Sequence, residues 1–194
     1  MYISVGCDAS QGGGWPYDYA GNSFGGSLSH LERGQMVEYN VFVSHSMRQG
    51  DLGIIYEAAR DAACKGINCY VAERDPQFGT SLPLKIENAI RSCDCFVVFL
   101  TYGGASSAWV NQEIGFARAC EKMRIQVVEI GVQIQGFDID KEYLLLDRSN
   151  PAAAISTLND YLLRLKNQKE SQQAARAGLF VVGALALLAL LSGG

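Results

Sequence analysis

Short apolar runs and segments with helical spacing alternate along residues 39 to 165. Val41–Val43 is a β-branched and aromatic run, and Leu52, Ile55 and Ala59 then recur three or four residues apart. Such a run predicts a strand, and apolar residues at that spacing predict a helix with one buried face. The region therefore opens with a predicted strand and a predicted helix.

The same alternation continues toward the C-terminus. Further strands are predicted at 68–71, 95–100 and 125–130, and further helices at 82–91, 109–122 and 151–165. The 95–100 run contains no charged residue, as expected for a strand that helices cover on both faces. Strands that alternate with helices favour a parallel sheet with right-handed crossovers. We predict an α/β, flavodoxin-like three-layer fold with a four- or five-stranded parallel sheet.

The two ends of the chain depart from this pattern. Residues 1–38 are rich in glycine and aromatic residues, which indicates an N-terminal arm, either flexible or acting as a lid. The domain then covers 39–166, and 167–176 form a polar linker. Residues 177–194 carry no charge, and a helix of that length spans roughly 27 Å, close to a bilayer core. We predict a C-terminal transmembrane helix that anchors a cytoplasmic domain; the alternative is an apolar helix buried in an oligomer interface or against the domain.

Composition narrows the classes of partner. The 16 basic residues are scattered and the net charge is -4, so no basic stripe is available for nucleic acid. The chain opens with strand-like Tyr2–Val5 and no secretory leader, and most cysteines lie in apolar runs, so we expect reduced, cytosolic thiols. With only His30 and His45 and no Cys-x-x-Cys pair, we predict no metal site.

Polar residues follow several predicted strands where each strand ends. They are Ser44–Ser46, Glu73–Asp75 and Thr101–Gly103, with Ser106 and Ser107 leading into the next helix. In an open parallel sheet, ligands bind beyond the carboxyl ends of the strands. These residues therefore predict a site at one edge of the sheet.

Trp109 and Glu113 are four residues apart on a predicted helix and so share a face. An indole offers a stacking surface for a purine or pyridine ring. A carboxylate beside it is suited to bonding ribose hydroxyls or stabilising an oxocarbenium ion. The alternative is an ordinary amphipathic helix with a half-buried tryptophan and a solvated glutamate, capped by Ser106 or Ser107.

Four segments share their order and spacing with a known family. They are Val41–Ser46, Glu73–Gly79, Ala89–Asp94 and Ser106–Gly115. Together they resemble the Toll/interleukin receptor (TIR) domain family, particularly its prokaryotic members, over about residues 39 to 138. The Ser-x-Trp-x-x-x-Glu element that ends at Glu113 is the most specific part.

The resemblance implies that NAD is a substrate and that no further cofactor is required. Family members either cleave the nicotinamide–ribose bond, giving ADP-ribose or a cyclic isomer, or assemble with other TIR domains as scaffolds. The resemblance makes Glu113 the catalytic residue and Trp109 a contact to the nucleotide. The other substrate-binding residues it implies are Ser44, His45, Ser46, Arg74, Asp75 and Ser107. For Arg74 the alternative is a surface salt bridge, and for His45 it is a loop histidine bonded to backbone.

One carboxylate is enough for this chemistry because the nicotinamide of NAD is already a cationic pyridinium and departs as a neutral molecule. Ordinary glycoside hydrolysis uses two carboxyl groups, since its leaving group must be protonated. Water as the acceptor gives ADP-ribose, and attack by an adenine nitrogen or ribose hydroxyl gives a cyclic product. The sequence leaves both outcomes open.

Three functions are compatible with these residues. The first is an NAD-cleaving signalling enzyme, associated by family analogy with antiviral defence. The second is a non-catalytic TIR adaptor that acts through self-association. The third is a nucleoside deoxyribosyltransferase-like enzyme, which the Ser-x-Trp-x-x-x-Glu spacing disfavours. The family also implies a homo-oligomer, which a membrane anchor would promote.

Overall fold

A computed structural model describes most of the chain. It covers residues 2–3, 38–46, 48–72, 84–133 and 143–192, with side chains described between 38 and 176. The strands are β1 (Tyr2–Ile3), β2 (Asn40–Ser44), β3 (Asn68–Val71), β4 (Cys95–Leu100), β5 (Met123–Glu129) and β6 (Leu144–Leu146). The helices are α1 (Gln49–Cys64), α2 (Leu84–Ser92), α3 (Ala108–Ala119) and α4 (Pro151–Ser192).

The strands form one sheet in the order β1-β3-β2-β4-β5-β6. Strands β2 to β6 pair in parallel, and β1 adds a two-residue antiparallel edge beside β3. Counted along the chain, the five parallel strands have the flavodoxin-like order 2-1-3-4-5. The predicted α/β fold and parallel sheet are confirmed.

Side-chain alternation along the strands divides the core into two layers. Val41 and Val43 face α1 and α4, whereas Phe42 faces α2 and α3. Phe42 stacks between Tyr70 and Phe96 with ring centroids 5.5 Å away on each side. Burying such a ring contributes about 1.5–3 kcal/mol. All of β4 is buried, as its uncharged sequence predicts.

Helix α4 is longer than the sequence pattern predicts. The predicted helix ends near 165 before a polar linker at 167–176, but the helix continues without a break to Ser192. The helix end predicted near 165 is therefore wrong, because the segment that follows lacks glycine and proline, consists largely of good helix formers, and carries a Lys166–Glu170 pair at 3.4 Å.

The predicted anchor at 177–194 lies where the structure describes no side chains. Among the residues that are described, no helix combines the length and apolarity needed to cross a membrane.

Most of the cysteines that the structure describes follow the expected pattern. Cys69, Cys93, Cys95 and Cys120 are free thiols, but Cys64 is disulfide-bonded. The prediction of reduced thiols is therefore wrong for Cys64, which lies exposed at the end of α1 and is not shielded by the core.

Candidate active site

The candidate site lies where the sheet changes the direction of its connections. Helix α1 follows β2 and packs on one face, whereas α3 follows β4 and packs on the other. Strands β2 and β4 are neighbours, and Ser44 at the end of β2 pairs with Val98. Connections that leave adjacent strands toward opposite faces open a crevice at the strand ends, where doubly wound proteins bind ligands.

Glu113 and Ser44 meet at these strand ends. Ser44 points to the same face as Phe42, which α3 covers, and its hydroxyl donates a hydrogen bond to Oε2 of Glu113. Glu113 is 1% exposed and Ser44 is 0% exposed. The alternative of a solvated glutamate on an ordinary surface helix is therefore wrong.

The start of α3 fixes the position of Glu113. Ser107 is the N-cap residue, and its hydroxyl accepts a hydrogen bond from the Val110 backbone at 3.4 Å. Trp109 lies one turn before Glu113 and is half-buried. The predicted helix and the shared face of Trp109 and Glu113 are thus present, and the capping role suggested for Ser107 is observed.

The segment after β2 is held by hydrogen bonds within the protein. His45 is buried, and its Nδ1 lies 2.6 Å from the backbone oxygen of Ser46, to which the Nδ1–H tautomer donates. This contact is the backbone bond given above as the alternative for His45. Ser46 is also buried, and its hydroxyl donates to Oδ2 of Asp51 at 2.6 Å.

Asp51 lies beside the candidate site and is not predicted from the sequence. Its Oδ2 accepts from the hydroxyls of Ser46 and Thr101, at 2.6 and 2.7 Å. Its Oδ1 is paired with Nη2 of Arg148. Burial alone raises the pKa of Asp51, but hydrogen bonds from Ser46, Arg148 and Thr101 outweigh it, so the pKa lies below its ordinary value.

Arg148 links Asp51 to a second buried carboxylate. Its Nε pairs with Oε1 of Glu129, and its Nη2 lies 3.0 Å from Oε2 of the same residue. Glu129 also accepts from the Tyr102 backbone at 3.2 Å. Hydrogen bonds to Glu129 and Asp51 raise the pKa of Arg148, which keeps its positive charge. We call Asp51, Glu129 and Arg148 the Arg148 cluster.

Only part of this cluster left a signal in the sequence. Glu129 closes a buried strand at the ligand edge of the sheet, where a charge in an apolar run indicates a paired carboxylate. Asp51 lies in the first turn of α1, where an acidic residue usually lies at the surface and complements the helix dipole. Its sequence position therefore does not indicate a buried carboxylate. Arg148 lies in a turn before α4 and carries no motif.

The structure brings together Ser44, His45, Ser46 and Glu113, with Ser107 and Trp109 at the start of α3. The predicted substrate contacts Arg74 and Asp75 lie outside the described residues and stay predictions. In the described part of the chain, no group of three or more His, Cys, Asp and Glu side chains is arranged to hold a metal ion.

The fold and this edge define a flavodoxin-like α/β domain with a candidate site at its topological switch point. The sequence model of the TIR domain family matches residues 41–175, more than half of the chain. This protein therefore belongs to the TIR domain family. The resemblance seen in the sequence is confirmed, and the match extends beyond it into α4.

Solved structures with related folds come from proteins of different kinds. One is a CMP N-glycosidase, BcmB, of Clostridium botulinum (20% identity, 63% of this chain and 98% of that chain covered, TM-score 0.46). Another is the set of TIR domains in the activated Roq1 resistosome, which recognises the pathogen effector XopQ (18% identity, 67% of this chain and 80% of that chain covered, TM-score 0.42). A third is a diflavin flavoprotein A3 from Nostoc sp. (12% identity, 72% of this chain and 99% of that chain covered, TM-score 0.49). These likenesses concern the fold alone. No curated protein sequence matches this chain.

Proposed function

We propose that this protein cleaves the nicotinamide–ribose bond of NAD and that Glu113 is its catalytic carboxylate. The observation that carries the proposal is the burial of Glu113 at the switch point, with Oε2 bonded to the Ser44 hydroxyl. A surface glutamate at this position of α3 would give no reason to expect chemistry. A buried, oriented carboxylate at the ligand edge of the sheet does.

The reaction needs one negative group close to the ribose. As the bond from the anomeric carbon to the pyridinium nitrogen breaks, its electron pair goes to nicotinamide, and positive charge develops on the ribose. A carboxylate in a water-poor site stabilises that charge more strongly than one in water. Water then adds to the anomeric carbon and loses its proton to solvent, giving ADP-ribose; an internal nucleophile gives a cyclic isomer instead.

The proposed contacts to NAD follow the family resemblance. Trp109, half-buried one turn before Glu113, supplies a ring for stacking on the nucleotide. Arg74 supplies a positive charge for the diphosphate, with Asp75 beside it.

Burial of Glu113 also sets a condition on activity. At 1% exposure its carboxylate is out of reach of a substrate in this conformation of a single chain. Binding of NAD therefore requires the site to open, and we assign that step to association between TIR domains. Activity per molecule should then rise with protein concentration, because association follows mass action.

The test uses full-length protein and NAD, with nicotinamide release measured by chromatography over a range of protein concentrations. Glu113→Gln keeps the side-chain shape and an oxygen that accepts from Ser44, but removes the charge. We expect it to lower release at least on the order of 100-fold, with the unfolding midpoint little changed. Glu57→Gln, on the exposed face of α1, is the matched control. Normal release by Glu113→Gln would sink the proposal.

A non-catalytic TIR scaffold is the second candidate, and the same burial supports it. A carboxylate that is covered and bonded to Ser44 is also what a purely structural glutamate looks like. This function predicts no nicotinamide at any protein concentration while light scattering still detects self-association. Glu113→Gln would then leave self-association unchanged.

A further inference from the structure

Asp51 connects the two segments of chain that carry Ser44 and Glu113. Its Oδ2 accepts from Ser46, two residues after Ser44, at 2.6 Å. The same oxygen accepts from Thr101 at 2.7 Å, where β4 ends and the loop to α3 begins. One carboxylate oxygen, from a third segment, therefore holds both partners of the Ser44–Glu113 pair in register.

The Thr101 hydroxyl passes this restraint along the loop toward α3. Its oxygen accepts from the Gly104 backbone at 3.2 Å, and the Gly104 carbonyl accepts from the Ser107 backbone at 3.0 Å. Ser107 is the residue that caps α3. A chain of hydrogen bonds thus runs from Asp51 to the first turn of the helix that carries Glu113.

The loop also lies too close to its surroundings to move as a free segment. A Cβ on Gly103 would lie 3.1 Å from the Ser46 hydroxyl oxygen, and a Cβ on Gly104 would lie 2.6 Å from the Phe99 carbonyl oxygen. The Gly104 contact lies below 3 Å and is made with backbone, so glycine is needed there, whereas the 3.1 Å distance at Gly103 is a tight contact between this loop and the Ser46 segment. The two segments held by Asp51 are packed against each other.

Arg148 keeps Asp51 in the form that accepts both hydroxyl hydrogens. The carboxylate is 2% exposed, and a buried charge is costly unless a cation or hydrogen bonds compensate it. Arg148 provides that cation and is itself fixed by Glu129 and by the Gly50 backbone oxygen at 3.0 Å. The orientation of Asp51 is set by groups outside the candidate site.

We propose that Asp51 is a positioning residue: through Ser46 and Thr101 it keeps the segments that carry Ser44 and Glu113 in register with each other, both in the closed chain and when association opens the site to NAD. The proposal rests on the function proposed above. Asp51 touches no substrate and acts only by fixing the two segments that do. Because small misplacements of reacting groups cost up to about 100-fold in rate, its loss should lower kcat.

Thr101 offers the cleanest variants. Thr101→Val removes the hydroxyl while keeping the shape of the side chain, and Thr101→Ser restores the hydroxyl without the methyl group. Asp51→Asn removes the charge from the same centre. Asp61→Asn is the control, because Asp61 is also on α1 and paired, with Lys65 at 3.4 Å and Asn159 at 3.0 Å, but its side chain is 49% exposed.

Steady-state nicotinamide release by full-length protein separates positioning from bulk stability. We expect Thr101→Val and Asp51→Asn to lower kcat by about 10- to 100-fold per folded molecule with little change in KM. Thr101→Ser should recover most of the activity, and Asp61→Asn should match the wild type. Equal kcat for Thr101→Val and wild type, or failure of Thr101→Ser to recover activity that Thr101→Val has lost, would overturn the proposal.

Amide hydrogen exchange tests the role of Asp51 whether or not the protein cleaves NAD. If wild-type protein releases no nicotinamide, the proposed function fails, and exchange alone then decides the role of Asp51. Asp51→Asn should speed exchange in both 40–46 and 101–110, whereas Asp61→Asn should affect neither. Unchanged exchange in either segment of Asp51→Asn would show that Asp51 does not hold the two together.

Discussion

Removing the guanidinium of the Arg148 cluster should destabilise the domain strongly. Arg148→Met keeps an unbranched apolar stem but leaves Asp51 and Glu129, at 2% and 5% exposure, without their cation. Breaking a buried ion pair by deleting one partner costs about 3–5 kcal/mol. The Arg148 side chain is 39% exposed, so solvent screens part of the loss and we expect about 3 kcal/mol. For a chain of this size the melting temperature should fall by roughly 6–12 °C.

The pH dependence of that loss gives it a signature. The folded-state pKa of Asp51 is lowered, so its stabilising contribution is present above the unfolded pKa of about 3.9 and disappears as pH falls through the folded value. The difference in unfolding free energy between wild type and Arg148→Met should therefore be largest near neutral pH. It should shrink below roughly pH 4.

Urea unfolding followed by circular dichroism measures both effects. Lys65→Met is the matched control, because Lys65 forms longer pairs with Asp61 and Asp160, at 3.4 and 3.7 Å, whose side chains are 49% and 59% exposed. Such pairs contribute about 0–1 kcal/mol. Equal losses for Arg148→Met and Lys65→Met, or an Arg148→Met loss that grows in acid, would refute this reasoning.

Three further predictions concern single sites. Gly104→Ala should lower the free energy of unfolding by about 1–3 kcal/mol. Gly115→Ala, with nothing within 4 Å of the new Cβ, should raise it by up to about 1 kcal/mol. Urea unfolding of the two variants beside wild type measures both effects. Ser107→Ala should lose about 1 kcal/mol with the helix cap, and Ser107→Asp should restore it. Burial raises the pKa of Cys69 to about 12, so iodoacetamide should label it only after unfolding, as mass spectrometry would detect; labelling of native protein would contradict its burial.

Sequence alone predicted the elements whose signals are local. The wholly apolar β4 and the helical spacing after β2 need no distant partner to be recognised, and both are present. Strand β6 was not predicted, because three residues, Leu144–Leu146, become a strand only by pairing with β5. The extension of α4 gives no apolar spacing because the segment is polar, although its residues have high helix propensity.

The residues of the candidate site also differ in whether a local sequence signal predicts them. Glu113 was predicted because one helical turn and a family spacing surround it within a few residues. Asp51 and Arg148 were not, since they are 97 residues apart and acquire their roles only when α1 and the turn before α4 meet at the sheet edge. Burial of Glu113 is likewise a property of the packed fold and not of its local sequence.

Mass spectrometry of the products formed from NAD by full-length protein, with Glu113→Gln beside wild type, tests the central claim most directly. The account predicts nicotinamide together with ADP-ribose, or with a cyclic isomer lighter by one water, from the wild type at high protein concentration. It predicts neither product in quantity from Glu113→Gln. Intact NAD with wild-type protein at every concentration, or the same products from Glu113→Gln, would contradict it.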